Sequence, residues 1–366
     1  MNICYISNSA SPSNNASSLQ IAKLCEYVSK NGHSVKLILP NTGYKQNFFS
    51  FYNIKYQYKI ERLKYFKKFP IGINYYLYSI LAILKSNYVK QDLFLTRNFF
   101  TSFILSLLFK KHILEIHDDI KIESRIIQFL VKYIRILNFN SLIKIVTTTK
   151  SLKKKYLTYG VAKKKIQILH NASSLKSQFN IYKKKKKLKI GYFGSIFESR
   201  GIQMIFKLSV LDKKNKYYMF GGSVKQINEI KQKFQNRNVI FCPHIPYSKV
   251  GNEIKKVDVC ILPYTSKITV SGNVGNISKF TSPLKIFDYM KLGKLIISSN
   301  IPVLREVLLN KNNSLLINNF NDEKEWFKKI SAVNKNFKKF DKIRINAFNY
   351  AKKFDLNWRV KKLLSF

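Results

Sequence analysis

Asn2-Ile3-Cys4-Tyr5-Ile6 is a short apolar run closed by Ser7, and it reads as a buried strand. Ser7 to Ser18 is rich in Ser, Asn and Pro, the composition of a loop. Leu19, Ile21, Ala22, Leu24, Cys25 and Val28 then recur at helical spacing, with Gly32 at the helix stop. Val35 to Leu39 is a second apolar run, closed by Pro40. Strand, loop, helix and strand in that order make a βαβ crossover, because parallel strands need a long connection and a helix supplies it. This unit opens a doubly wound α/β sheet.

Outward from this unit the pattern repeats. Buried strands are expected at Leu93–Leu95, Ile113–Ile116 and Ile143–Thr147, with helical patterns between them. Tyr182 to Lys189 is almost all Lys and reads as a solvated linker. Past it the pattern restarts with a strand at Leu188–Phe193 and a helix at Ile202–Leu208. Further strands follow at Tyr217–Phe220, Val239–Phe241, Val259–Leu262 and Leu295–Ser298. Two α/β halves are expected, 1–180 and 181–344. Such sheets bind ligands at the carboxyl ends of their strands, so a cleft between two facing halves is the natural site.

A length of 366 residues accommodates two domains, and 46% hydrophobic content argues against global disorder. Formal net charge is +47, from 66 Lys+Arg against 19 Asp+Glu. A field of that sign attracts nucleic acid, anionic lipid and phosphorylated substrates. AT-rich codon usage gives the same abundance of Lys, Asn, Ile, Phe and Tyr, but it does not explain the shortage of acids. No nucleic-acid module is recognisable, and charge alone gives only nonspecific affinity, so a specific nucleic-acid partner is not expected.

Cys4, Cys25, Cys242 and Cys260 form no C-x-x-C pair and have no His cluster beside them. Reduced thiols in a cytoplasmic protein are expected, with neither a disulfide framework nor a zinc site. The N-terminus lacks a basic start before a long apolar run, so no signal peptide is expected. Ile71 to Leu84 and Phe99 to Phe109 are very apolar yet too short to cross a bilayer as helices. They read as buried or surface-lying helices.

Three segments carry candidate chemistry. In Tyr192-Phe193-Gly194-Ser195-Ile196-Phe197-Glu198-Ser199-Arg200-Gly201 a strand ends at Gly194 and a helix opens at Arg200-Gly201. Backbone N–H groups at such a turn favour a phosphate, and Arg200 adds a bidentate donor. The plain alternative is an ordinary turn with a surface Arg. In Ser282-Pro283-Leu284-Lys285-Ile286-Phe287-Asp288, Ser282 is placed to cap a helix and Pro283 suits its first position. Lys285 in the first turn opposes the helix dipole unless an anion sits there. Asp288, one turn on, either pairs with Lys285 or accepts sugar hydroxyls. In Leu114-Glu115-Ile116-His117-Asp118-Asp119 a His stands at a strand's end, to bond a substrate hydroxyl or phosphate, or to be held structurally by Asp118.

Together these segments resemble the family 4 retaining glycosyltransferases, the glycogen-synthase-like group of GT-B fold. Asn31-Gly32-His33-Ser34-Val35, Glu115 through Asp118, Gly194 through Gly201, Phe220-Gly221-Gly222, Val257 through Tyr264, and Ser282 through Gly293 carry the resemblance by their order and spacing. Phe354-Asp355-Leu356-Asn357-Trp358 is similar to the family's closing segment. The resemblance implies two Rossmann-like doubly wound domains facing a central cleft, with a C-terminal helix, 345–366, returning to the first domain. It places His117 near the transferred sugar, Arg200 on the donor diphosphate and Asp288 on the donor ribose. Gly194, Ser195 and Gly201 fall in the phosphate turn, Gly221 and Gly222 near the base, and Ser282, Pro283 and Leu284 in the donor segment. The first acid of the family's paired-acid motif falls at Phe280, which leaves Lys285 as a substitute phosphate contact. His117, Arg200 and Lys285 are the catalytic candidates.

The implied reaction moves a sugar from a nucleotide-diphosphate donor to a glycan or lipid-linked acceptor with retention. No Asp-x-Asp metal motif occurs, so neither a metal nor a cofactor beyond the donor is expected. Tyr65 to Lys111 mixes Lys with Phe, Tyr, Leu and Ile, as surface-lying helices do on anionic membranes. The competing reading is therefore a catalytically weak scaffold that binds a membrane surface, and the expected location is cytoplasmic, at the inner face of the membrane.

Overall fold

A computed structural model describes residues 1–41, 43, 46–64, 71–87, 90–180, 186–234, 236–269 and 276–366. Part of the expected Lys-rich linker, 182–185, and parts of the 65–111 segment, 65–70 and 88–89, lie outside the described residues. The chain divides into two units, Met1–His170 with Leu356–Phe366, and Asn171–Asp355.

The first unit holds seven strands: β1 (Asn2–Ile6), β2 (Ser34–Asn41), β3 (Lys59–Lys64), β4 (Leu93–Thr96), β5 (His112–Ile116), β6 (Leu142–Thr147) and β7 (Ile166–Ile168). Their order is β3-β2-β1-β4-β5-β6-β7 and every pairing is parallel. Ile3 lies between Val35 and Leu93 in register, and Ile3, Cys4 and Ile6 are wholly buried. A strand covered on both faces must be apolar throughout, which is why β1 reads as an unbroken run. Edge strand β3, Lys59-Ile-Glu-Arg-Leu-Lys64, follows another rule. Its Glu61 pairs with Lys36 at 2.7 Å and Lys85 at 3.3 Å, so charge rather than apolar burial seats it.

The expected apolar stripe forms the helix Ala16–Lys30, which buries Leu19, Ile21, Ala22, Leu24, Cys25 and Val28. Gly32 follows its end at φ +82°, and its N–H donates to Ser29 O at 2.9 Å. That left-handed turn admits Gly at little cost and closes the helix. The helix Leu356–Leu364 packs on Ala16–Lys30 and so belongs to this unit.

The second unit holds β8 (Lys189–Phe193), β9 (Lys216–Phe220), β10 (Val239–Cys242), β11 (Val259–Leu262), β12 (Leu295–Ser299) and β13 (Leu315–Ile317). They lie in the order β10-β9-β8-β11-β12-β13, again all parallel. Tyr192, Tyr217, Tyr264, Tyr289 and Trp326 fill its core. Strand order reverses beside β1 and β4 in one sheet and beside β8 and β11 in the other. Crevices form at such switch points.

All four cysteines are free, and burial pushes the Cys4 thiol up to about 12. Among the described residues no helix is long and apolar enough to cross a membrane.

Candidate functional site

At the switch point of the second sheet, backbone segments meet with no room for side chains. Gly194 follows β8 at φ +148°, and a Cβ there would lie 2.1 Å from Lys285 Nζ. Gly201 caps the helix Ile202–Leu211 at φ +76°, and a Cβ there would lie 1.5 Å from Pro263 O, just past β11. Gly221 follows β9, and its absent Cβ would meet Gly194 O at 2.0 Å, while Gly222 faces Ile196. Gly194, Gly221 and Lys285 thus meet, while Gly222 stands against Ile196 and Gly201 against Pro263, and the Ser195 carbonyl accepts from Tyr192 OH at 2.8 Å. A concavity of about 550 Å³ opens beside Gly201, Pro263 and Tyr264.

Two cations stand at this turn. Lys285 Nζ lies 4.2 Å over the Tyr192 ring and 5.5 Å from the Tyr264 ring. The Arg200 guanidinium lies 5.4 Å from the same Tyr264 ring, and its Nη2 donates to Thr269 O at 2.9 Å. Burial, and then the charge of Arg200, hold the Lys285 ammonium well below its usual range. Among the described residues no carboxylate forms an ion pair with either cation. Aromatic faces stabilise a cation by about 0.5–2 kcal/mol each, less than an anion in the same place.

The helix Leu284–Lys291 corrects one expectation. Pro283, with ψ 123°, is its N-cap, and no side chain caps it. Ser282 stands one residue earlier, where its carbonyl accepts from Asn171 Nδ2 at 2.7 Å. The first N–H groups of this helix therefore keep no side-chain acceptor, and a helix start of that kind suits an anion. Leu284 is its first residue and is half-buried.

Asp288 does not take one of its two readings, the ion pair with Lys285. Its Oδ1 accepts from Ser173 Oγ at 2.5 Å and from Tyr247 OH at 2.8 Å, and the residue is buried. Burial raises its pKa to about 6, against the lowering effect of the two hydroxyls and Lys291. Lys291 itself bonds Ser173 O at 2.9 Å and Asp355 Oδ2 at 2.7 Å. Neither Ser173 nor Tyr247 was a sequence candidate. Ser173 lies in the polar stretch after Leu169, where no local spacing directs its hydroxyl to Asp288.

His117 lies in the first unit, just past β5. It is not held by Asp118. Its Nε2 lies 2.8 Å from Glu115 Oε1. Glu115 Oε1 also accepts from Arg97 Nε at 2.9 Å and from Arg97 Nη2, and its Oε2 accepts from Arg359 Nη2 at 2.8 Å. Arg97 follows β4 directly, so this cluster sits at the carboxyl ends of the first sheet.

This architecture, two parallel-sheet Rossmann-like α/β domains, is the GT-B fold. Residues 187–336 match the profile of the family described as Glycosyl transferases group 1. No curated protein matches the chain by sequence. HepE of Anabaena, solved in complex with UDP-glucose, is similar in structure at TM-score 0.70 and 13% identity, over 100% of this chain and 99% of that one. Sucrose-phosphate synthase of Thermosynechococcus elongatus matches at 0.74 and 14%, over 99% and 97%. WaaG, a glycosyltransferase involved in lipopolysaccharide biosynthesis, matches at 0.63 and 13%, over 99% and 98%. At these identities the likeness establishes the fold.

Proposed function

We propose that this chain is a retaining glycosyltransferase that moves a sugar from a nucleotide-diphosphate donor to an acceptor hydroxyl, in surface polysaccharide or glycolipid synthesis. The observation that carries the reading is the pair of cations, Arg200 and Lys285, lacking a carboxylate partner among the described residues, with the Lys285 ammonium laid against Gly194, where a Cβ would lie 2.1 Å from it. Half-buried cations without a counter-charge attract one, and a diphosphate supplies that charge. The family match over 187–336 supports the same chemistry.

In the reaction the bond between the anomeric carbon and the diphosphate oxygen breaks, and its electron pair stays on the diphosphate. Arg200, Lys285 and the open N–H groups of Leu284–Lys291 stabilise that growing charge, a preorganised electrostatic contribution that needs no side-chain nucleophile. The acceptor oxygen bonds the anomeric carbon, and its proton passes to the leaving phosphate. Fixed cations at the phosphate position fit a donor bound without an obligatory metal.

Calorimetric titration with UDP, GDP and ADP tests this. One nucleotide is expected to bind selectively, and Arg200→Ala to weaken it about tenfold or more. Failure of all three to bind the folded protein would sink the proposal.

A second reading concerns location. Ile126, Phe129 and Tyr133 recur at helical spacing along the Arg125–Lys132 helix and its C-cap, with exposures of 57, 52 and 73%, and Ile122 in the preceding turn is 60% exposed. Lys121, Arg125 and Lys132 flank them. Tyr76 OH lies 2.6 Å from Ser124 Oγ, which ties this stripe to the Ile71–Ser86 helix, where Ile73, Ile80 and Leu84 are also exposed. An apolar stripe with basic flanks fits the surface of an anionic membrane. Co-sedimentation with anionic but not neutral vesicles, lost in Phe129→Glu, is the expected result. Equal recovery with both vesicle types would discard this reading.

A further inference from the structure

Glu115 at the end of β5 is used by nothing in the donor chemistry above, yet it is among the most heavily contacted carboxylates of the first unit. Arg97 reaches Oε1 from the turn after β4, and Arg359 reaches Oε2 from the C-terminal helix. Arg359 is itself fixed by a bond from its Nε to His170 O at 3.0 Å, and Arg97 by one from Nη1 to Gln20 Oε1 at 3.3 Å. Against the upward push of burial, these two guanidinium groups hold the carboxyl well below the usual range. Glu115 is therefore ionised, and an ionised carboxylate only accepts hydrogen bonds.

The contact with His117 Nε2 at 2.8 Å then has one assignment: Nε2 carries the proton and donates it to Oε1. Burial and the neighbouring Arg97 push the imidazole down to about 4, so the ring bears a single proton at neutral pH. Nδ1 has no partner among the described residues, and the side chain keeps 23% of its surface open.

We infer that Glu115 is a positioning residue which, clamped by Arg97 and Arg359, fixes His117 in the Nε2–H tautomer and leaves Nδ1 as a hydrogen-bond acceptor. A lone pair at Nδ1 accepts from a hydroxyl and repels a phosphate oxygen. The group recognised at His117 is then a sugar hydroxyl. That last step, the nature of the ligand, rests on the glycosyltransferase reading, whereas the tautomer does not.

The test is nitrogen-15 histidine NMR on the full chain, with the His117 signals assigned by their loss in His117→Gln. Wild type is expected to show Nε2 protonated and Nδ1 bare across neutral pH. Glu115→Gln is expected to turn this single form into a mixture of both tautomers, and Glu115→Asp to recover part of it. An Nδ1–H tautomer or an imidazolium in the wild type at neutral pH overturns the inference, and needs no variant that folds. An unchanged spectrum in folded Glu115→Gln overturns it equally. With a working donor in hand, the analogue lacking one hydroxyl should lose about tenfold in kcat/KM, and His117→Ala should abolish that discrimination. Absence of any turnover would defeat the transferase reading and leave the tautomer standing. The wrong tautomer alongside normal turnover would defeat this inference alone.

Discussion

Glu115 and Asp288 are both carboxylates buried in a parallel α/β unit, at 4% and 3% exposure, and they behave in opposite ways. Burial raises the pKa of each, because it penalises the charged form. Glu115 is answered by two guanidinium groups and falls well below its ordinary value. Asp288 is answered mainly by the neutral hydroxyls of Ser173 and Tyr247 and rises to about 6. Depth alone therefore does not set the charge of a buried acid, and the partners decide it.

The contrast is broken most severely at Glu115. Glu115→Ala leaves Arg97 and Arg359 buried without an anion, and a loss of about 3–5 kcal/mol in urea denaturation is expected. A change under about 1 kcal/mol would mean that the cluster is solvated and the contrast false.

The next effect is a slope of opposite sign in pH. Between the ordinary value of 3.8 and about 6, folded Asp288 holds a proton that the unfolded chain has released. Stability therefore falls as pH rises through that window, by on the order of 3 kcal/mol in all, and Asp288→Asn should flatten it. For Glu115 the folded pKa is depressed, so its contribution is present above the ordinary carboxylate range and is lost as pH falls below it. Denaturation midpoints of wild type and Asp288→Asn from pH 3.5 to 7 separate the two, and an unaltered slope in the variant would remove Asp288 as its source.

The smallest expected effect extends the comparison to an unanswered cation. Lys285 rests on aromatic faces alone, so Lys285→Met should raise the melting stability of the ligand-free protein by about 1 kcal/mol while weakening nucleotide binding. A drop in stability would show that the ammonium is well solvated.

Most of the fold was legible because parallel strands covered on both faces leave unbroken apolar runs, as at Ile3–Ile6 and Val259–Leu262. Strand β3 escaped the same reading because its seat is the Glu61 charge pair with Lys36 and Lys85. The glycine turns were legible too, since Gly194, Gly201 and Gly221 stand where backbones touch. What the sequence hides is partner choice. Local spacing offered Lys285 to Asp288 and Asp118 to His117, and both pairings lost to groups that the fold brings nearer. Ser173 is 115 positions from Asp288, and Arg359 is 244 positions from Glu115. No periodicity reports contacts of that range.

That last distance has a consequence in time. A nascent chain emerges from its amino end, so Glu115 and Arg97 are made early and Arg359 only after all of Asn171–Asp355. At roughly 5–20 residues per second, the interval is on the order of ten seconds to most of a minute. Throughout it the first sheet carries its buried acid with one guanidinium in place of two. The unit begun before Asn171–Asp355 is therefore closed only after that segment has been made.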